Sequence, residues 1–342
     1  MLSLSNRVHF TTGNVIMSLK ALAQKSIRPA KLFFNNKRNK TLLHALSALP
    51  TGNTGVTLID IGAEGDIEPR WKRIEPFLNY VGFEPDERSR SLLLQKGNNC
   101  LNYQLLPFAV WDIDGSIGFN LGRSPGTSSH YLPNQPFIDL FPDPRRYDVV
   151  ETTNLKTTTL DNLALKSADF IKIDIQGGEL NALRGGQTLL KIALGLEIEV
   201  EFIALYKNQP LFGEICAFLS GFEFEFIDFV NLCRWERLQH NSYGQCVFGD
   251  ALFLRSPEYI LKTSLNSESV SKYLSICLIY NRFDLIDRMI SLLPHDLKKT
   301  YADFRTGIEP IRKSNKVVRI FNRLAGSVFT LFGVEHRAHL LY

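Results

Sequence analysis

The feature that most constrains the fold of this chain is a recurring unit of short apolar strand, glycine-containing turn and helix. The first unit begins with VTLIDI at Val56–Ile61 and continues through the turn GAEG. The second begins with ADFIKIDI at residues 168–175 and continues through QGGELNALRGG. Short apolar runs that end at glycines and precede helical spacing are typical of buried parallel strands. The alternation therefore predicts an α/β fold with helices covering a mostly parallel sheet.

Further strands and helices are predicted from the same periodicities. Strands are expected at residues 81–83, 101–111, 194–202, 222–230 and 245–254, the last two as an antiparallel pair. A helix is expected at 67–80, and the Asp-Gly turn chemistry of 112–119 predicts a hairpin. The Pro-, Gly- and Ser-rich segment 123–146 predicts a long loop, which in a compact domain is typical of a functional segment or of a disordered one.

The chain divides into three parts by composition and periodicity. With 342 residues, 44% of them hydrophobic, it can bury a large core, which excludes general disorder. We expect a basic N-terminal helical leader at 1–54, an α/β domain at 55–255 and a separate helical appendage at 256–342. The last predicted helix, at 316–332, has one apolar face that could dock on the domain or lie on a membrane surface.

Charge is unevenly spread along the chain. Eight Lys or Arg residues and no acid precede Asp60, a charge of +8, which leaves 31 basic against 35 acidic residues in the remainder. A basic leader is typical of proteins that contact an anionic membrane or a polyanion, and also of solvated chain ends. No uncharged run of about 18 apolar residues occurs, so no membrane-spanning helix is expected.

Two acidic positions near the first turn indicate a cofactor site. Gly62 and Gly65 follow Asp60 in a D-x-G-x-x-G pattern, and glycines let the backbone bend sharply and approach a ligand. Glu84 ends the next predicted strand, where a carboxylate can accept hydrogen bonds from the two hydroxyls of a ribose. The pair suggests an adenosine-containing cofactor. The alternative for Glu84 is a surface carboxylate before a proline turn.

The first position of the turn motif bears on which cofactor is expected. A dinucleotide site usually has glycine there, whereas an acid would repel a pyrophosphate. Asp60 suits a ligand with ammonium and sulfonium groups, namely S-adenosylmethionine. NAD is therefore disfavoured.

Four segments then resemble one enzyme family. They are TTTLDNL (157–163), ADFIKIDIQGGELNALRGG (168–186), LEIEVEFIALYKNQPLFGEI (196–215) and GFEFEFID (221–228). In order and spacing they are similar to the FkbM family of S-adenosylmethionine-dependent methyltransferases, over residues 58–254. The resemblance implies a class I methyltransferase fold, Rossmann-like, with a seven-stranded sheet whose last strand is antiparallel. It also implies methyl transfer, commonly to a hydroxyl of a sugar or related natural product.

The resemblance implies roles for residues at matching positions. The methionine side of the cofactor would lie against the loop, the ribose against Glu84 and the adenine against two residues after the third strand, with Asp86 as a weaker candidate. The cofactor-binding set is therefore Asp60, Gly62, Ala63, Gly65, Glu84, Asp86, Phe108, Ala109 and Asp174.

Methylation of an alcohol needs near-attack geometry and removal of the hydroxyl proton, for which a carboxylate or imidazole is suited. We predict Asp174, His130 and Glu179 as catalytic candidates, with Gln176 nearby. Asp174 could instead bind the amino group of the cofactor, and His130 could be an ordinary loop histidine.

Glu197, Glu199 and Glu201 alternate on one predicted strand and so share a face. If that face does not line the cleft, the three glutamates are interpreted as a solvated edge. If it lines the cleft, Glu199 or Glu201 could reach an acceptor. Neither a His/Cys cluster nor an Asp-rich loop is present, so no metal is expected. Aromatic residues do not interleave with the basic leader, so nucleic acid is not the expected partner.

The sequence thus predicts an O-methyltransferase that uses S-adenosylmethionine and modifies a saccharide, glycolipid or related small molecule. The expected location is the cytoplasm, including the inner face of an anionic membrane. A catalytically inactive binding module with the same fold is the alternative. Oligomeric state is left open.

Overall fold

The computed structural model describes residues 39–50, 55–165, 167–237, 243–263 and 266–315. The strands are β1 (Val56–Ile61), β2 (Leu78–Phe83), β3 (Asn102–Leu106), β4 (Ala109–Val110), β5 (Gly115–Gly122), β6 (Val149–Thr158), β7 (Phe170–Ile173), β8 (Gly195–Glu201), β9 (Glu225–Trp235) and β10 (Gln245–Leu254). The helices are α1 (39–47), α2 (Pro69–Lys72), α3 (Glu87–Gln95), α4 (Gln135–Ile138), α5 (Glu179–Arg184), α6 (Gln187–Leu190), α7 (Phe212–Ser220), α8 (Pro257–Thr263), α9 (Ser267–Ile279), α10 (Phe283–Leu292), α11 (His295–Thr300) and α12 (302–315).

Seven strands form one sheet in the order β3-β2-β1-β7-β8-β10-β9. Neighbouring strands are parallel except that β10 runs antiparallel to both β8 and β9. This is the strand order and direction of a class I methyltransferase, and it confirms the expected fold. Strand order reverses between β1 and β7, so a crevice opens beyond their carboxyl ends, where open α/β sheets bind ligands.

The central strands are buried because both faces of the sheet are covered. All six residues of β1 and all seven of β8 are buried. One face packs on α5, α6 and α7, and the opposite face packs on α1, α2 and the C-terminal helices. The polar side chains of these strands, including the carboxyl groups of β1 and β8, are therefore buried inside the protein.

A second sheet of three strands, in the order β4-β6-β5, is inserted between β3 and β7. The sequence missed β6, because its polar, threonine-rich residues lack an apolar periodicity and most of them are exposed. The predicted strand at 101–111 is split between the two sheets. The predicted hairpin at 112–119 is wrong, because β4 and β5 both pair with β6 and not with each other.

The helix predicted at 67–80 is much shorter in the structure. It is reduced to α2 and a single 3₁₀ turn, each of which begins near a proline, and β2 already begins at Leu78. By contrast, the predicted strand at 245–254 coincides with β10. The basic leader up to residue 38 and the predicted helix at 316–332 lie outside the described residues.

Helices α9 to α12 belong to the same hydrophobic cluster as α1, α2 and β1. Tyr273 of α9 and Phe304 of α12 are fully buried in it together with Leu58 and Trp71. The C-terminal helices are thus one layer of the sheet's covering within the described residues.

Candidate functional site

The turn after β1 contains two glycines with left-handed backbone conformations but different surroundings. Gly62 has φ +87°, and a Cβ there would lie 2.0 Å from the main-chain oxygen of Asp174, which precedes the second glycine turn, the one after β7. Gly65 has φ +88°, and a Cβ would meet nothing within 4 Å. Ala63 between them is buried and donates its N–H to Phe83 O. The turn is therefore fixed to the neighbouring strands at one glycine and open at the other.

Asp60 lies inside the protein beneath this turn, with 2% of its surface exposed. The hydroxyl of Tyr80 donates to Asp60 Oδ2 at 2.9 Å. Asp60 Oδ1 makes no hydrogen bond within the described residues, although Lys172 Nζ stands 3.6 Å away. Burial raises the pKa of Asp60, and the Lys172 ammonium opposes that rise.

Lys172 was not anticipated from the sequence. Its ammonium lies between two strand ends, 3.6 Å from Asp60 Oδ1 and 3.9 Å from Asp174 Oδ2. Burial disfavours its charge, but the two carboxylates outweigh burial and raise the pKa of Lys172. A lysine inside the apolar run FIKI of a central strand is itself a signal of a buried acidic partner.

Glu84 lies at the carboxyl end of β2, beside the first turn. It is buried, and its Oε1 accepts the N–H of Asp86 at 2.8 Å, which fixes the orientation of the carboxyl group. Burial raises the pKa of Glu84. Asp86 itself caps α3 by accepting Arg88 N–H at 2.8 Å and also pairs with the Arg88 guanidinium. These hydrogen bonds lower the pKa of Asp86 to about 2.

Phe108 and Ala109 lie between the two sheets, after β3. Both are partly buried, and Phe108 packs against the cluster that contains Ile61 and Phe83. Lys156 Nζ stands 5.4 Å from the centre of the Phe108 ring. The two residues thus border the same crevice as the ends of β1 and β2.

The second glycine turn follows β7. Asp174 is partly exposed, with 40% of its side chain accessible. Gln176 and Gly177 have φ values of +57° and +100°. Glu179 at the start of α5 is buried, and its Oε1 accepts the N–H groups of Ile175 at 2.9 Å and Gly177 at 3.1 Å. Glu179 is therefore the residue that closes this turn.

The surroundings of Glu179 raise its pKa. Burial raises the pKa of Glu179 to about 7, opposed by its backbone hydrogen bonds. The Asp174 carboxylate adds to the rise.

His130 is brought to the second turn by the loop after β5. Its Nδ1–H donates to Gly118 O at 2.9 Å, so Nε2 is the ring nitrogen that does not take part in this hydrogen bond. The ring packs against Trp111, with 5.0 Å between ring centres, and the ring of Trp111 lies against Gly178. Ser129 Oγ donates to Gln176 O at 2.7 Å, which anchors the loop.

The glutamates of β8 are buried, so their interpretation as a solvated edge is wrong. Glu197, Glu199 and Glu201 are 4%, 9% and 2% exposed, because β8 lies between β7 and β10. Glu197 Oε2 accepts Arg70 Nη1 at 2.8 Å and also the hydroxyl of Tyr280. Its role is thus an internal ion pair.

Glu199 and Glu201 lie nearer the crevice. Gln176 Nε2 donates to Glu199 Oε2 at 2.6 Å. Burial first, and then neighbouring carboxylates, raise the pKa of Glu199 and of Glu201 well above that of a free glutamate. Asp250 of β10 stands opposite Glu199 in the strand register, and burial raises its pKa to about 7.

The structure thus brings most predicted residues to one edge of the sheet. Asp60, Gly62, Ala63 and Gly65 border the first turn, and Glu84, Phe108 and Ala109 lie at the next strand ends. Asp174 and Glu179 form the second turn, with His130 over it. Asp86 is the exception, since its carboxylate caps α3 and pairs with Arg88. The sequence missed Lys172, Tyr80 and Asp250, which come from strands whose neighbours are set by the tertiary fold.

The described ranges contain neither a metal-binding cluster nor a membrane-spanning helix. No group of three or more His, Cys, Asp or Glu residues there is arranged to hold a metal ion. No helix among those residues is both long and apolar enough to cross a bilayer.

Comparison with known proteins bears on the family. Residues 70–226 match the family model of the methyltransferase FkbM domain. A search of curated proteins gives no match.

Several solved structures are similar to the chain at low identity. Methyltransferase FkbM from Methylobacillus flagellatus KT is 13% identical, with a TM-score of 0.35, over 61% of this chain and 47% of that one. The chain thus spans about half the length of that protein. Magnesium protoporphyrin IX methyltransferase from Synechocystis PCC 6803, with bound SAM, is 12% identical, with a TM-score of 0.32, over 74% of this chain and 86% of that one. The fold assignment rests on strand order, since these scores are low.

Proposed function

Residues 70–226 of this chain form a methyltransferase domain of the FkbM family, and from that premise we propose the reaction. The protein transfers a methyl group from S-adenosylmethionine to a hydroxyl group of a saccharide, glycolipid or related natural product. The observation that carries the proposal is the pairing of an open glycine turn after β1 with a buried carboxylate at the end of β2.

The residues at this edge fit the donor. The open space at Gly65 leaves room for a ligand against the backbone. Glu84, held by the Asp86 N–H, presents an oriented carboxyl group suited to ribose hydroxyls. Asp60 and Asp174, whose charges Lys172 partly neutralises, leave net negative charge near the turn, suited to a ligand that carries a positive sulfur. Phe108 offers an aromatic face for the adenine.

When bound, S-adenosylmethionine would supply a methyl group activated by its cationic sulfur. Transfer of that methyl group to an acceptor oxygen would form the C–O bond as the S–CH₃ bond breaks, and it would leave the hydroxyl proton to be accepted by the protein. Asp174 is the proposed acceptor of the hydroxyl proton, because its carboxylate is the partly exposed one at the switch point. His130 Nε2 is the second candidate, since Nδ1 is engaged with Gly118 O. Glu179 is assigned to holding the turn through two backbone N–H groups.

The acceptor is proposed to enter over the second turn, alongside the loop 123–134. Ser129 and Tyr131 bind this loop to the second turn and to Asn181 of α5. The loop therefore forms a wall beside Asp174. A glycan or lipid-linked acceptor is suited to this polar crevice.

Isothermal titration calorimetry with S-adenosylmethionine tests the donor site. Replacing Glu84 by glutamine retains the acceptor for Asp86 N–H but removes the charge. We expect affinity to fall about 10- to 100-fold, because a hydrogen bond to a charged group contributes roughly 1.5–3 kcal/mol. Glu87→Gln changes an exposed acid of α3 and should leave affinity unchanged.

Each outcome separates the alternatives. Unchanged affinity in Glu84→Gln would contradict the ribose assignment. No heat and no thermal shift for the unsubstituted protein would instead favour a non-catalytic binding module. Incubation with trideuteromethyl donor, followed by mass spectrometry of glycan and lipid fractions, then identifies the acceptor by the labelled methyl group.

Membrane proximity is a further part of the proposal, supported by the charge of +8 before Asp60. We expect the full chain to sediment with vesicles that contain anionic lipid and to stay in solution with neutral vesicles. Equal partitioning would contradict this placement.

A further inference from the structure

Gln176 connects four segments of the molecule at the second glycine turn. Its Nε2 donates to Asp174 Oδ1 at 3.2 Å and to Glu199 Oε2 at 2.6 Å. Its Oε1 lies 3.4 Å from the hydroxyl of Tyr206, and its main-chain oxygen accepts Ser129 Oγ–H. One amide group thus holds the carboxyl groups of two different strands side by side.

The backbone of Gln176 is held in an unfavourable conformation. Its φ of +57° is in the left-handed region, which costs about 1–2 kcal/mol for a residue with a Cβ. The next residue, Gly177, also has a positive φ. Strain of this kind persists where surrounding contacts determine it, and here it aims the amide between Asp174 and Glu199.

The two carboxyl groups differ in exposure. Asp174 opens to the crevice with 40% of its side chain accessible, whereas Glu199 is 9% exposed. Two neighbouring carboxyl groups, one of them buried, do not both ionise readily, because their like charges repel and burial disfavours charge. The charged and titratable groups that face them from the surrounding elements are Asp60, Lys172, Glu179, Glu201, Tyr206 and Asp250. Lys172 is the cation in ion-pair contact with Asp174.

We propose that Gln176 joins Asp174 and Glu199 into a carboxyl pair that carries one proton, and that binding of the cationic methyl donor expels this proton. The inference rests on the proposed function. In the free protein the proton resides on the buried Glu199. A positive sulfur beside the pair stabilises the doubly ionised form, and the proton leaves to solvent. Gln176 is a positioning residue, since it acts through the two acids.

Donor binding then prepares the pair for its role in catalysis. With both groups ionised, the pair has a vacant place for the proton that the acceptor hydroxyl loses. The proton is taken up by the pair as the C–O bond forms and the sulfur becomes neutral. Expulsion of the first proton and uptake of the second balance over one turnover.

Calorimetry in buffers of different ionisation enthalpy tests this, because it counts the protons released on binding. The probes are S-adenosylmethionine and S-adenosylhomocysteine, which differ in the positive charge on sulfur. We expect the cationic ligand to release up to about one proton more than the neutral one near neutral pH. Glu199→Gln should abolish this difference. Glu201→Gln, the same change two residues along the same strand face, should retain it.

A second pair of variants isolates Gln176. Gln176→Gly removes the side chain while relieving the left-handed strain, and we expect it to reduce the difference in proton release. Glu223→Gly relieves a φ of +63° at an exposed residue elsewhere and serves as the matched backbone control. Equal proton release by both ligands in the unsubstituted protein, or a full difference in Glu199→Gln or Gln176→Gly, would overturn the inference. Failure of either ligand to bind would instead contradict the donor site itself.

Discussion

Lys172 sets the electrostatics of the site at the scale of single residues. Its ammonium stands between the carboxyl groups of Asp60 and Asp174. Lys172 belongs to β7, which pairs with β1 on one side and β8 on the other. Asp60 could be predicted from its place before the glycines. Its cation could not, because Lys172 is 112 positions away and meets Asp60 only through the pairing of β1 with β7. Lys172 therefore neutralises part of the Asp60 charge that was expected to attract the ligand.

Asp250 gives a pH dependence of stability. Burial, and then the carboxylates of Glu197 and Asp174, raise its pKa from 3.8 to about 7. The native state thus holds more protons than the unfolded state between these values, so stability falls as pH rises through that window. Asp250→Asn should remove this loss. Above the window we expect the variant to be more stable by about 1–4 kcal/mol, at roughly 1.4 kcal/mol per pKa unit.

Urea unfolding at a series of pH values measures the effect. Glu225→Gln, an exposed acid on the adjacent β9, is the control and should follow the unsubstituted protein at every pH. If Asp250→Asn showed the same slope as the control, Asp250 would not contribute to the change of stability in this window.

At the scale of elements, the two glycines of the first turn should respond differently to the same substitution. Gly62→Ala places a Cβ 2.0 Å from Asp174 O in a left-handed conformation. We expect a loss of about 2–5 kcal/mol, from the backbone conformation and from displacement of the neighbouring turn. Gly65→Ala has the same backbone cost of about 1–2 kcal/mol but no clash. Its main effect should be weaker donor binding, because its methyl group occupies the open space.

Thermal unfolding and donor calorimetry on both variants separate these effects. Gly65→Ala should stay folded with affinity reduced at least about tenfold, the equivalent of 1.4 kcal/mol. An undiminished affinity would mean that the donor does not lie against this turn.

An element could be predicted from the sequence when its own residues show a clear apolar pattern. β10 was predicted with its observed bounds because its apolar residues end at Arg255, which is buried and bonded to main-chain oxygens of the preceding elements. The strand β6 was missed because it is solvent-exposed and polar. Glu199 and Glu201 were correctly placed on one face of a strand, but whether that strand is central or at an edge depends on β10, which pairs with it from about 50 residues later in the chain.

At the scale of the whole molecule, a seven-stranded sheet with an antiparallel last strand was predicted only through the family resemblance, and the order of the strands comes from the structure. Apolar periodicity marks strands but carries no information on which strands are neighbours. The same limit applies to the C-terminal helices, which looked like a separate appendage because glycines thin out after Arg255. In the structure, Tyr280 at the end of α9 contacts Trp71 and Glu197, so it joins the helices to the sheet next to the site.

This packing predicts that the α/β domain and the C-terminal helices unfold together. Phe304 of α12 is fully buried in the cluster that also contains Leu58 of β1, and Phe304→Ala should destabilise the protein by about 3–5 kcal/mol. If the layers are cooperative, far-ultraviolet circular dichroism and the fluorescence of the three tryptophans should report one coincident transition, shifted to lower temperature. Arg305→Ala, an exposed change on the same helix, should leave it in place. Two separated transitions, the first with loss of helix, would instead mean that the helices after residue 255 form an independent unit.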